Sequence, residues 1–414
     1  MAKIKDKLVL MIMVDALRHD YINETDSPFL HQLSQNGTYG KLQPSFGFEP
    51  DGAYFAGLHP DECDGGAQFW HNTNETLFHY TDFFSFLFKL LPVPKWQKFI
   101  RKVIRYITQV KSKDSLTQKM ATSAFIPVKI LKHFSTPMKH ISSDPDFIPD
   151  KTIFDLLRKN KHTFYFHGFP EFKVHTNTVL ERYLNETGGD NQFGFLFFGD
   201  LDSKGHIYGP NSKERKDELK NIDSAINKIL KHSETLYGSV DLLVFGDHGM
   251  VETKNNINLT KIINEHFSSK TNDKYFLDST LARFWIQDEK KKQEVIKLLN
   301  EHSGGHVITN KEKDQFHINY PHNYFGDIIY ATECGNLIEP CFYSDNNPPR
   351  GMHGYLDGCI DNESYFVISG PNVNNLGYIG KHDMRKVYPT ILNMLDIDLP
   401  DNIDKNLKSI LESK

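Results

Sequence analysis

With 414 residues, 39% hydrophobic and 24% charged, the chain is long enough to bury a large core, which excludes intrinsic disorder and a miniature fold stapled by disulfides. A net charge of -5 and a pI near 6.5 supply no global cationic field, so no nucleic-acid partner is expected. The four cysteines, Cys63, Cys334, Cys341 and Cys359, form no Cys-x-x-Cys pair, and neither a zinc ribbon nor a disulfide framework is expected of them.

The first element is the apolar run Leu8 to Val14. It is too short to span a membrane and meets Asp15 and Arg18 rather than a small-residue cleavage site, so it reads as a buried strand. Together with a mean hydropathy of -0.49 and the cysteine usage, this leads to the expectation of a soluble protein in a reducing, cytoplasmic location. Two later runs share its grammar: Phe193 to Phe198 ends in Gly199-Asp200, and Asp241 to Phe245 ends in Gly246-Asp247-His248. Each reads as a strand buried on both faces that delivers polar residues at its carboxyl end, where open α/β sheets place their sites. Between them, Ser212 to His232 carries Leu219, Ile222, Ala225, Ile226, Ile229 and Leu230 on one helical face. The alternation predicts an α/β fold, a layered and mostly parallel central sheet with helices on both faces, within one catalytic domain spanning 1–414.

Two stretches depart from this pattern. An inserted helical element is expected over 67–150, and its Asp82 to Ser112 portion interleaves Phe83, Phe84, Phe86, Phe88, Trp96 and Phe99 with Lys89, Lys95, Lys98, Arg101, Lys102 and Arg105. It reads either as a lid over the site or a helix on an anionic membrane surface, or as a helical hairpin packed on the sheet with its cations in water. The Asn- and Lys-rich stretch 253–350 is expected to carry a small cap subdomain.

The polar residues at strand ends and in Gly-rich turns are Asp15, Asp202, His206, Asp247, His248 and His353. Three carboxylates and three imidazoles suit zinc and related first-row ions, whereas magnesium or calcium would take nearly all oxygen. Six ligands suffice for two divalent ions, zinc first with manganese or iron as alternatives, and two ions about 3.5–4 Å apart clamp the attacking and leaving oxygens of a phosphoryl displacement. Alone, each piece has a plainer reading: Asp15 as a helix N-cap, Asp202-Ser203-Lys204-Gly205-His206 as a turn, and His353 as one of 20 histidines. Asp247-His248 is the strongest piece, because two ionisable groups directly after a buried strand are costly unless paired or metal-bound.

The ordered set Val14-Asp15-Ala16-Leu17-Arg18, Gly57-Leu58-His59-Pro60, Asp202-Ser203-Lys204-Gly205-His206-Ile207-Tyr208-Gly209-Pro210, Gly246-Asp247-His248-Gly249-Met250 and His353-Gly354-Tyr355 resembles the alkaline phosphatase superfamily. Its nearest branch is that of the nucleotide pyrophosphatases and type I phosphodiesterases, and Val387 to Leu395 resembles the closing helix. The resemblance implies that Asp202, His206 and His353 hold one zinc ion and Asp15, Asp247 and His248 the other. It also exposes a departure. The family's Thr or Ser nucleophile, ten residues before Gly57, is Gly47 here, and Gln68 stands where the family has an Asn that contacts the phosphate. Ser45 is the closest hydroxyl and Glu49 the closest carboxylate, the latter as general base or extra ligand. Attack by metal-activated hydroxide is expected, with Ser45 as the displaced nucleophile in the alternative.

The function expected is therefore a two-metal hydrolase of a small-molecule phosphodiester, pyrophosphate or other phosphate ester, nucleotide- or sugar-linked. A phosphoryl-group transferase or an inactive metal-binding scaffold homologue is the alternative. The absence of a Cys or Ser at Gly47 argues against a sulfatase.

Overall fold

The computed structural model describes residues 5–81, 83, 94–111, 126–137, 140–145, 147–149, 151–168, 174–267, 272–344 and 347–412. A seven-stranded sheet forms its centre, in the order Gly377–Asp383, Thr38–Gln43, Ser364–Ser369, Tyr237–Phe245, Lys5–Val14, Phe193–Phe198, Phe164–His167. All neighbours pair in parallel except Ser364–Ser369, which runs antiparallel to the strands on both sides.

The first strand shows why this layered arrangement forms. Val9, Met11 and Met13 enter one buried cluster with helices Asp51–Ala56, Ile153–Lys159 and Val387–Met394. Leu8, Leu10, Ile12 and Val14 enter another with helices Thr176–Glu186 and Lys213–Leu236. Side chains alternate across a strand, so a continuous apolar run satisfies helices on both faces. The long helix begins where Ser212 accepts a hydrogen bond from the Arg215 N–H, and Thr152 caps Ile153–Lys159 in the same way.

Register fixes the position of the site. Val14 lies beside Phe198 and Met13 beside Phe245, so Asp15, Gly199 and Gly246 leave the sheet at one edge. Because Ser364–Ser369 runs the other way, with Phe366 opposite Phe245, its amino end arrives at that same edge, and so does the loop before it. Ser364 Oγ donates to the Gly246 carbonyl at 2.6 Å and pins the two together.

A second, antiparallel sheet has the order Lys274–Leu277, Leu281–Trp285, Ile328–Thr332, Gly305–Val307, within the stretch expected to form a cap. Its own cluster includes Phe276, Phe284, Trp285 and Tyr330, joined by Ile100 and Ile104 of helix Pro94–Lys111. That helix exposes Phe99, Tyr106 and Val110. Residues 82, 84–93 and 112 of the expected lid lie outside the described residues. No described helix is long and apolar enough to cross a membrane.

Candidate functional site

At the carboxyl edge of the central sheet the six expected ligands form two groups. Asp202, His206 and His353 make one and Asp15, Asp247 and His248 the other, with the ligand atoms of each group within 4.8 Å of one another. Asp202 and His206 lie one turn apart on helix Asp200–Tyr208, so their i, i+4 spacing brings His206 Nε2 to 3.1 Å from Asp202 Oδ1. The turn reading of this segment gives way to that helix. His353, on the loop before Ser364–Ser369, brings its Nε2 to 3.8 Å from the same oxygen.

Asp15 caps no helix; a turn follows it, in which Ala16 takes a left-handed φ of 62°. That conformation costs a residue with a Cβ about 1–2 kcal/mol, and here it directs the Ala16 N–H onto Asp247 Oδ1 at 3.2 Å. His248 Nε2 lies 3.2 Å from Asp15 Oδ1 and 3.4 Å from Asp247 Oδ2. The rings of His248 and His353 stack with centroids 3.6 Å apart and planes 7° from parallel, which joins the two groups.

These residues fit divalent ions. Nδ1 of His206 faces the Gly351 carbonyl and Nδ1 of His248 the Gly249 carbonyl, each at 2.8 Å, and donation there leaves the Nε2 lone pairs for a ligand. Asp15 Oδ1 and Asp202 Oδ1 are buried and face only imidazole nitrogens, and the buried His353 Nδ1 has no hydrogen-bond partner among the described residues. Burial raises the Asp15 pKa well above the carboxylate range, and the carboxylates of Asp247 and Asp202 raise it further. Burial is also the main cause that lifts Asp247. At Asp202 burial acts in the same sense, but His206 outweighs it and the net shift is downward. His248 is pushed up to about 10: burial lowers it, and the Asp247 carboxylate followed by Asp15 reverses the sign. Burial and then His248 lower His353. Carboxylates crowded in this way resist ionisation unless a cation offsets their charge, and mixed oxygen and nitrogen donors suit a first-row divalent ion.

Both groups line one cavity of about 640 Å³, on the scale of small-molecule sites. Glu49, Asp51, Tyr54 and Gln68 line it too, as do Ser279, Cys341, Tyr343, Ser344 and Asn347 from the segment with the second sheet. Glu49 is hydrogen-bonded to Gln68, and its pKa is pushed up to about 8, first by burial and then by the Asp51 carboxylate. Asp51 in turn accepts from the hydroxyls of Tyr54 and Ser142.

Neither Gly47 nor Ser45 is among the residues that line the cavity. The helix that borders the site begins only at Asp51, with Pro50 at its N-cap, so Glu49 and Pro50 stand at its amino end. Gly47 lies earlier, at a left-handed φ of 87°, and a Cβ there would sit 2.1 Å from the Gly66 carbonyl oxygen. Sequence reasoning passed over Ser279, Tyr343 and Asn347, for which no spacing or motif gives a signal. It also passed over Arg18, which is buried and donates to the Met250 carbonyl at 2.9 Å, although Arg18 follows the Asp15 motif directly.

The cysteines require correction. Cys334 and Cys359 form a disulfide, with Cα atoms 5.5 Å apart. Pairing of Gly351–Met352 with Val251–Glu252, and of Asn336–Ile338 with Asn255–Ile257, draws their two turns together across 25 residues of sequence, a separation that carries no local motif.

Solved structures share this architecture. Human ectonucleotide pyrophosphatase/phosphodiesterase 5 superposes with a TM-score of 0.65 at 17% identity, covering 96% of this chain and 97% of that one. An inactive variant of the murine protein 5 in complex with AMP gives 0.66 at 18%, covering 96% and 98%. The fold is thus alkaline phosphatase-like. Residues 67–356 match the family model described as type I phosphodiesterase / nucleotide pyrophosphatase, and the chain belongs to that family. Among curated relatives, ectonucleotide pyrophosphatase/phosphodiesterase family member 7 of Mus musculus is 28% identical over 247 residues, 57% of this chain and 54% of the relative. The human bis(5'-adenosyl)-triphosphatase ENPP4 is 25% identical over 235 residues, 55% and 49% respectively. The chain spans about half the length of the curated relatives it matches.

Proposed function

We propose that the protein is a two-metal hydrolase of a small-molecule phosphodiester or pyrophosphate. Zinc is the first choice of ion, with manganese or iron as alternatives. The observation that carries this reading is the pair of three-residue groups, each of carboxylates and imidazoles, facing one cavity. Family membership and the AMP complex of the murine relative support a nucleotide-like phosphate ester.

Asp15, Asp247 and His248 would hold one ion, and Asp202, His206 and His353 the other. Bound there, the ions supply Lewis-acid stabilisation of phosphoryl charge and lower the pKa of water. Gln68, bonded to Glu49, offers an amide to the phosphate in place of the family's Asn. Glu49 shares the cavity with the candidate ligands, alongside Phe48, Pro50 and Asp51 of the same segment; it takes a proton from an attacking water or returns one to the leaving oxygen. Because Ser45 stays outside the cavity, a single displacement is favoured, and it predicts inversion at a chiral phosphorus.

Turnover of bis(p-nitrophenyl) phosphate by the zinc-loaded chain tests the reading. Inactivity across monoesters, diesters and pyrophosphates would leave the scaffold alternative, which Gly47 favours, and transfer to an added alcohol in place of water would mark a transferase. Location is a separate proposal. The disulfide supports an oxidising compartment over the cytoplasm expected from the sequence, since such bonds persist where thiols are not kept reduced. Alkylation of the protein from its native source, followed by mass spectrometry, would find Cys334 and Cys359 unmodified on this view.

A further inference from the structure

We propose that Ser279, together with Ser344, determines specificity by hydrogen-bonding a hydroxyl-bearing group of the substrate, ribose-like or polyol-like, in the cavity that the ligand groups share. The proposal rests on the phosphodiesterase reading above and adds a residue class to it.

Ser279 is 2% exposed, and its Oγ has no hydrogen-bond partner among the described residues, yet it lines the cavity. A buried hydroxyl left unpaired is costly, and native structures pair nearly all of them. The backbone around it is held on both flanks. On one flank, Asp278 is locked to Arg283, Nε to Oδ2 at 2.8 Å, with both side chains buried. On the other, Thr280 Oγ1 donates to the Gly354 carbonyl at 3.0 Å, next to His353. The Ser279 carbonyl itself accepts from the Ile338 N–H at 2.8 Å. A buried hydroxyl that no described residue satisfies therefore belongs to a residue that lines the cavity with the candidate ligands, in the segment that carries the second sheet.

Ser344 repeats the pattern, with a buried Oγ that lacks a partner among the described residues and lines the same cavity. The amides of Asn347 and Gln68 complete a set of uncharged donors and acceptors. A hydroxyl both gives and takes a hydrogen bond, so two serines and two amides match vicinal alcohols. The described lining residues include no Lys or Arg, so they offer a further phosphate no ammonium or guanidinium.

The test compares two chromogenic esters with the zinc-loaded full chain: the p-nitrophenyl ester of a nucleoside 5'-monophosphate, which carries ribose hydroxyls, and p-nitrophenyl phenylphosphonate, which carries none. Ser279→Ala should lower kcat/KM for the nucleoside ester about tenfold, through KM, and leave the phenylphosphonate within about twofold. Ser344→Ala should act in the same direction and guards against a folding defect in the first variant. Equal effects on both esters in both variants, or no effect on either, would overturn the proposal. Should the wild-type chain hydrolyse neither ester, that result counts against the hydrolase reading and not against the serine assignment. Calorimetric titration with nucleoside monophosphate then decides: about tenfold weaker binding by the variants supports the serine assignment, and unchanged binding overturns it.

Discussion

Restoring the missing hydroxyl by Gly47→Thr should damage the protein without giving it a nucleophile. Gly47 sits at φ 87°, and its Cβ would lie 2.1 Å from the Gly66 carbonyl oxygen and 2.7 Å from the Gly66 Cα and carbonyl carbon. All of these are backbone atoms, so no flexible side chain can yield. That carbonyl is also the acceptor for the Phe48 N–H at 3.2 Å, which resists its displacement. A left-handed residue with a Cβ costs about 1–2 kcal/mol. Overpacking adds about 1–3 kcal/mol, and a lost hydrogen bond about 0.5–1.5 kcal/mol. The total, about 3–6 kcal/mol, is a large part of the roughly 5–15 kcal/mol typical of a folded domain. Thermal denaturation should show a fall in Tm on the order of 3–7 °C. Hydrolysis of bis(p-nitrophenyl) phosphate should not rise, because the position lies outside the ligand-lined cavity. A Gly47→Thr variant with unchanged Tm and raised kcat, accompanied by a phosphorylated Thr peptide, would refute the reasoning at both steps.

His353→Ala and Asp247→Asn should each lower bound metal, measured by elemental analysis, and abolish turnover; full activity in either would remove that residue from the ligand set. The Glu49 pKa rises from 4.5 to about 8 on folding, so between those pH values the metal-free native state holds a proton that the unfolded chain lacks. Stability should then fall as pH rises through that window, and urea titrations in chelator should show a shallower fall for Glu49→Gln; identical slopes would show that Glu49 ionises freely. Arg283→Ala strands the buried Asp278 carboxylate and should cost about 3–5 kcal/mol in denaturant unfolding, whereas a change below about 1 kcal/mol would mean that the pair is hydrated.

What could be read from the sequence divides along physical lines. The strands at Leu8, Phe193 and Asp241 were legible because burial on both faces demands unbroken apolar runs, and each run is followed within a few residues by a candidate ligand. His353 was legible only by its flanking glycines and the family pattern, since its place depends on the antiparallel strand Ser364–Ser369, and strand direction leaves no mark in composition. The approach of Cys334 to Cys359 likewise follows from strand pairing between distant segments. Glu49 was among the candidates, but its rank over Ser45 and Gly47 depended on where helix Asp51–Ala56 begins, and helix boundaries are the least certain part of any pattern reading. Ser279 had no signal at all: a serine in a turn is ordinary until the cavity beside it is known.

The stacked imidazoles of His248 and His353 belong to different ligand groups, and this makes the groups a single thermodynamic unit. A proton on one ring opposes a proton on the other, a repulsion already visible in the depressed His353 pKa, to which burial contributes first and His248 next. A divalent cation at one imidazole displaces its proton and, through its own charge, further disfavours a proton on the neighbouring ring. If each group takes an ion, the ring pair links the two occupancies, and a metal titration should depart from the curve of two independent sites.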